Sequence, residues 1–261
     1  MPAPFSSVPL PVDRTHGKPR RRGLTMMVDW GLPLGRVADL LDLAAPYLDL
    51  AKIATGTSRL YPEDLLRKKL DLYADRGVRP FLGGQFQEFV FATQGADAIP
   101  SFLDEAQRLG FQAVEVSDNT VPLSRDERKA QIALAVDKGF SVFGEVGSKA
   151  GDNMLDTLIE QASDALSAGA ELLLVEGAEL TEGGKPHREL LAGLKSGLDM
   201  DKVLFELPGP WISGVTMSEI HDLKKFLVRE FGPDVNIANV MPDDLIETEA
   251  LRVGLGVVGP G

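Results

Sequence analysis

Residues 140–149, FSVFGEVGSK, run apolar up to Glu145 and then close on glycine, serine and the Lys149 ammonium. Other short apolar runs carry polar chemistry at their ends. Asp29 stands near the end of LTMMVDW (24–30), Lys52 in YLDLAKI (47–53), and Glu115 with Ser117 and Asp118 in FQAVEVSD (111–118). Glu176 follows in AELLLVEG (170–177), Glu206 in KVLFELP (202–208), and VNIANV (235–240) contributes Asn236 and Asn239. A charge inside a covered strand is costly unless paired, so these groups belong where strands meet water. Carboxylates around one opening repel each other, and a divalent cation, bound protons or an interleaved lysine relieves the repulsion. Oxygen donors with no cysteine and three histidines suit Mg²⁺ or Mn²⁺ better than zinc.

These runs, together with VRPFLGG (78–84), alternate with longer amphipathic stretches along nearly the whole chain. The stretches carry helix signals. Pro62 suits a first turn, Ser124 with Glu127 and Thr216 with Glu219 form capping boxes, and Gly77, Gly110, Gly139, Gly169 and Gly232 mark stops. Eight strand–helix units without a linker predict a single-domain α/β fold, a closed (β/α)8 TIM barrel over residues 18–261 behind a loose N-terminal arm, 1–17. An open doubly wound sheet is the alternative, but no glycine fingerprint follows the first strand. Barrel active sites lie at the C-terminal strand ends. Side-chain parity places the charges there: Glu176 repeats Leu172 and Leu174, Glu145 repeats Phe143, and Lys52 repeats Leu48 and Leu50, so each extends an inward face.

Composition excludes several classes. The 261-residue chain is 44% hydrophobic and 25% charged, with net charge −12. Nucleic-acid binding is disfavoured, because KPRRR (18–22) is the only basic run. No apolar run is long enough to span a bilayer, and the Pro-rich N-terminus lacks a signal-peptide core, so a cytoplasmic protein is expected. His16, His187 and His221 lack ligand spacing and read as solvent-facing.

KPRRRGLTMMVDWG (18–31), LAKIATGTS (50–58), FQAVEVSDN (111–119), GFSVFGEVGSK (139–149) and FGPDVNIANVMPDDLIETEALRVGL (231–255) together resemble the phosphosulfolactate synthase family. The resemblance runs from about residue 15 to the C-terminus. It implies a Mg²⁺-dependent barrel lyase that adds sulfite to phosphoenolpyruvate, a small anionic substrate, and an expected homo-oligomer. On that basis Lys52 and Lys149 take acid or electrophilic roles, and Glu115, Glu145 and Glu176 hold the metal. Arg20, Ser117, Asp118, Asn236, Asn239 and Arg252 contact substrate. The match departs at Thr55, where the family carries an aromatic, in EGAELTEGG (176–184), and in the apolar LPGPWISGVTM after strand seven. Two alternatives accompany these departures. One is an addition or elimination on a less anionic carboxylate, with Trp211 and Ile212 shaping the pocket. The other is a non-catalytic, stress-associated binding protein.

Overall fold

The computed structural model describes residues 4–148 and 154–256. Eight parallel strands close on themselves: β1 (Thr25–Asp29), β2 (Leu50–Ile53), β3 (Arg79–Leu82), β4 (Ala113–Val116), β5 (Ser141–Val146), β6 (Leu172–Val175), β7 (Val203–Glu206) and β8 (Ile237–Val240). β1 pairs with both β2 and β8, which completes the barrel and rules out the open sheet. Helices α1 (Leu34–Ala44), α2 (Glu63–Asp75), α3 (Gly84–Gln94), α4 (Ile99–Leu109), α5 (Arg125–Asp137), α6 (Leu155–Ser167), α7 (Arg188–Gly197), α8 (Met217–Phe231) and α9 (Leu245–Arg252) surround it. Two helices rather than one follow β3. The β6–α7 connection carries a two-residue antiparallel pairing, Thr181–Glu182 with Lys185–Pro186. Both capping boxes form, and the five glycine stops carry φ from +66° to +105°.

Alternation along each strand separates two apolar regions. Met27, Ala51, Val114 and Leu173 face the helices, whereas Met26, Leu50, Phe81, Ala113, Phe143, Leu174, Leu204 and Ala238 fill the barrel. Phe81 and Phe143 meet edge to face at 4.8 Å in that interior. The filled lumen is the floor on which the mouth is built.

The N-terminal end is sealed by charge. Arg20 forms a two-pronged pair with Asp49 at 2.9 and 3.0 Å, and Arg14 pairs with Glu249 at 2.9 Å. Arg252 donates to the carbonyls of Pro233 and Val235, and Asn236 accepts from the Leu24 N–H while donating to Val203 O. The arm therefore joins the barrel earlier than expected: Val12 N–H reaches Val253 O at 3.2 Å, Thr15 reaches Asp234, and residues 4–10 are exposed. Among the described residues, no helix is long and apolar enough to cross a membrane.

Candidate active site

On five strands the residue two beyond an inward apolar side chain reaches the mouth, so one parity puts the lumen's filling and its chemistry on the same face. Leu50 is followed by Lys52, Ala113 by Glu115, Phe143 by Glu145, Leu174 by Glu176 and Leu204 by Glu206. Lys52 Nζ lies 2.9 Å from Glu115 and 3.2 Å from Glu206. One oxygen from each of Glu115, Glu145 and Glu206 lies within 4.8 Å of the others, and all three residues are buried. Above them opens a cavity of about 220 Å³, walled by Trp30, Thr55, Gln85, Thr120, Trp211 and Asn239. Glu176 borders the same cavity and accepts from Asn119 Nδ2 at 3.2 Å. The Trp30 and Trp211 rings lie 5.5 Å apart. Thr55 and Asn239 both hold positive φ, +45° and +57°. Such backbone is unusual for a β-branched residue such as Thr55 and gathers at functional sites.

Charge sets the protonation of this mouth. Burial alone would lower the Lys52 ammonium, but the charges of Glu115, Glu206 and Glu145 outweigh it and hold the group well above its ordinary value. Burial, followed by the neighbouring carboxylates, pushes Glu145 strongly upward. Glu115 also rises, through burial and the charge of Glu206, although Lys52 opposes the shift. Among the described residues lining the cavity, Lys52 is the sole cation against four glutamates. A divalent cation would balance carboxylates gathered in this way. Mg²⁺ holds oxygens at about 2.0–2.1 Å, hence no more than about 4.2 Å from one another, and commonly keeps water at several positions. Three carboxylates whose oxygens already lie within 4.8 Å of one another are a donor set of the kind Mg²⁺ takes, and they would close inward to share the ion.

The pH dependence follows with a definite sign. Glu115 and Glu145 titrate at ordinary carboxylate values when unfolded and higher when folded. The folded state thus holds extra protons, and their contribution to stability is full at low pH and lost as pH rises above about 4.5 through the raised values. A divalent cation such as Mg²⁺, held by the same carboxylates, would displace those protons. Its thermal stabilisation of the protein should therefore grow between pH 5 and pH 8, measured by thermal melts with and without 5 mM of the ion. A larger effect at pH 5 would refute the protonation scheme.

Of the residues named from sequence, the fold brings together Lys52, Glu115, Glu145, Glu176 and Asn239. Glu206 joins the tight carboxylate cluster in the place expected of Glu176, and parity with Leu204 was the available signal. Arg20, Asn236 and Arg252 lie at the opposite end, where they donate to Asp49 and to backbone carbonyls. That position corrects their expected substrate contact, since the filled lumen separates them from the cavity. Replacing Arg20 with Met should cost about 3 kcal/mol of stability, the scale for orphaning a buried partner, with kcat and KM of the folded protein unchanged. Ser117 and Asp118 sit behind the wall. Ser117 donates to Glu88, and Asp118 faces Arg128 at 4.0 Å in a cleft between α5 and α6. Asp29, one position off the inward parity, instead meets Lys69 at 2.8 Å and Tyr73 at 2.9 Å on α2. Lys149 lies outside the described residues.

Fold and mouth define a class: a (β/α)8-barrel enzyme whose C-terminal opening gathers carboxylates and a lysine. The family model for (2R)-phospho-3-sulfolactate synthase, ComA, matches residues 13–257. The chain is 35% identical over 246 residues to the phosphosulfolactate synthase of Methanocaldococcus jannaschii, covering 90% of this chain and 92% of that protein. It is 30% identical over 261 residues to the phosphosulfolactate synthase of Bacillus subtilis, covering 95% and 96%. The chain belongs to the phosphosulfolactate synthase family of lyase-type enzymes. Among solved structures, a phosphonopyruvate hydrolase complex with oxalate and Mg²⁺ shares the fold at a TM-score of 0.52 and 16% identity, over 85% of this chain and 77% of that one.

Proposed function

We propose that the protein adds sulfite to phosphoenolpyruvate, giving phosphosulfolactate. The observation that carries this reading is a partly buried Lys52 ammonium held between Glu115 and Glu206 at the floor of a small cavity. In the reaction the sulfur lone pair bonds to C3 of phosphoenolpyruvate and the C2–C3 π pair moves onto C2 and its carboxylate. One proton delivered to C2 completes the product, with no leaving group and the phosphate ester retained.

Negative charge builds up at the carboxylate, so a fixed positive group facing it lowers the barrier. Lys52 is that group. Its two carboxylates keep it charged and fix its direction, as electrophile toward the carboxylate or as proton donor to one face of C2. A (2R) product requires such one-sided delivery. Glu115, Glu145 and Glu206 would hold Mg²⁺, which supplies further positive charge to an anionic substrate when bound. Trp30 and Trp211 form an apolar wall that keeps bulk water from the developing anion. Asn239 offers an amide to the substrate, and Lys149 is proposed as a second acid or electrophile from its sequence position. A cytoplasmic setting and association into a homo-oligomer go with this reading, the first supported by the absence of cysteine.

The test is a ³¹P spectrum of phosphoenolpyruvate, sulfite, Mg²⁺ and protein. A new phosphate-ester resonance requiring both substrates is expected. Untouched phosphoenolpyruvate would defeat the proposal and turn attention to a less anionic carboxylate.

A further inference from the structure

The wall between β4 and the mouth is held by a carboxylate that never touches the cavity. Glu88 on α3 is buried and, among the described residues, has no arginine or lysine within ion-pair distance. It is satisfied entirely by the β4–α5 loop. One oxygen accepts from Ser117 Oγ; the other accepts from the Thr120 hydroxyl, from Thr120 N–H at 2.6 Å and from Val121 N–H at 2.9 Å. Those bonds outweigh the effect of burial, which would raise the carboxyl, and leave it below its ordinary value. The approach of α3 is close: a Cβ on Gly84 would come within 2.3 Å of Ser117 Oγ and 3.1 Å of Ser117 N. Only glycine lets the first turn of α3 sit against the end of β4.

The gathered loop carries two residues into the mouth. Asn119 donates to Glu176, and Thr120 lines the cavity. We infer that Glu88 is a positioning residue for the reaction, setting Asn119 and Thr120 from behind and fixing the hydrogen-bonding sense of Thr120. An ionised carboxylate only accepts, so the Thr120 hydroxyl proton is committed to Glu88. Any approach to the Thr120 oxygen from the cavity therefore meets its lone pairs. That oxygen receives a donor, an ammonium or a bound water, and turns away from the oxygens of an anion. The inference deepens the reaction proposed above and rests on it for its kinetic test.

Glu88→Gln keeps the shape but puts an NH₂ where an acceptor stood. In protein shown folded by circular dichroism, kcat/KM for phosphoenolpyruvate should fall about 10- to 100-fold, the usual cost of losing such a support. The chain's two tryptophans both line the cavity, so their fluorescence reads ligand binding directly. Its response to Mg²⁺ should need correspondingly more ion in the variant. A purely architectural Glu88 would lower the melting temperature and leave kcat, KM and the Mg²⁺ titration of the folded protein at wild-type values, which would overturn the inference. Where Glu88→Gln does not fold, Ser117→Ala replaces it, removing a donor to Glu88 away from the cavity. A several-fold loss supports the inference and wild-type constants overturn it. A wild-type protein that ignores phosphoenolpyruvate and sulfite defeats the reaction proposal instead. The Mg²⁺ fluorescence titration then decides on Glu88 by itself: a weaker response in Glu88→Gln supports positioning, and an equal one refutes it.

Discussion

Lys52→Met should give a folded protein that still binds Mg²⁺ and has lost about 10³-fold in kcat, or about 4 kcal/mol of barrier stabilisation. The magnitude comes from what else the cavity offers. Among the described residues lining it, no other side chain is cationic, and four are carboxylates. A neutral methionine of similar length fills the same space, so packing is kept while the ammonium goes. The metal prediction separates catalysis from folding. Lys52 now neutralises Glu115 and Glu206 at 2.9 and 3.2 Å, and its removal leaves those carboxylates to protons or to Mg²⁺. The Mg²⁺-induced rise in melting temperature should therefore be as large as in the wild type or larger, and the metal-free variant should lose stability more steeply as pH rises. Steady-state kinetics and paired thermal melts check both halves. Activity within tenfold of wild type would remove Lys52 from the chemistry; joint loss of activity and Mg²⁺ response would make it a structural plug.

Much of this arrangement could be read from the chain, for an identifiable reason. Short, mainly apolar strand runs and helix signals such as Ser124 with Glu127 are local, and the barrel follows from their alternation. The inward direction of Lys52, Glu145 and Glu176 is local too, being set by the two-residue period from Leu50, Phe143 and Leu174. The same rule applied to Glu206 and Leu204 would have placed Glu206 in the cluster, and applied to Asp29 and Met27 would have turned Asp29 outward to Lys69. Position along a strand matters as much as parity. Asn236 precedes Ile237, the first residue of β8, so it falls at the sealed end, whereas Asn239 reaches the mouth. Arg20 and Arg252 entered through family likeness alone, and a likeness does not say at which end of the barrel a residue is used. Glu88 carried no local signal at all. Its partners, Ser117, Thr120 and Val121, lie about thirty residues away and meet it only when α3 docks beside β4.

Glu145→Gln should abolish the Mg²⁺ response while making the metal-free protein more stable. Burial, Glu206 and Glu115 together push the Glu145 carboxyl strongly upward, so without metal the folded state holds a proton there that the unfolded chain releases near its ordinary value. Above that value the retained proton is a cost to folding, and a neutral amide of the same shape removes it. The melting temperature of the metal-free variant should accordingly exceed that of the wild type at pH 7 and match it more closely at pH 4.5. Mg²⁺ should reverse the order, because a metal held at this cluster would need the ionised carboxylate as a ligand. With one of three clustered carboxylate charges replaced by a neutral amide, apparent affinity should drop by about 100-fold or more and turnover with it, the scale on which first ligands exceed the 10- to 100-fold of their supports. A destabilised variant that kept its Mg²⁺ response would show Glu145 to be an ion-pair partner of the barrel plug and no part of the metal site. A raised metal-free melting temperature together with a lost Mg²⁺ response has no explanation in which this mouth is merely a salt-bridged seal.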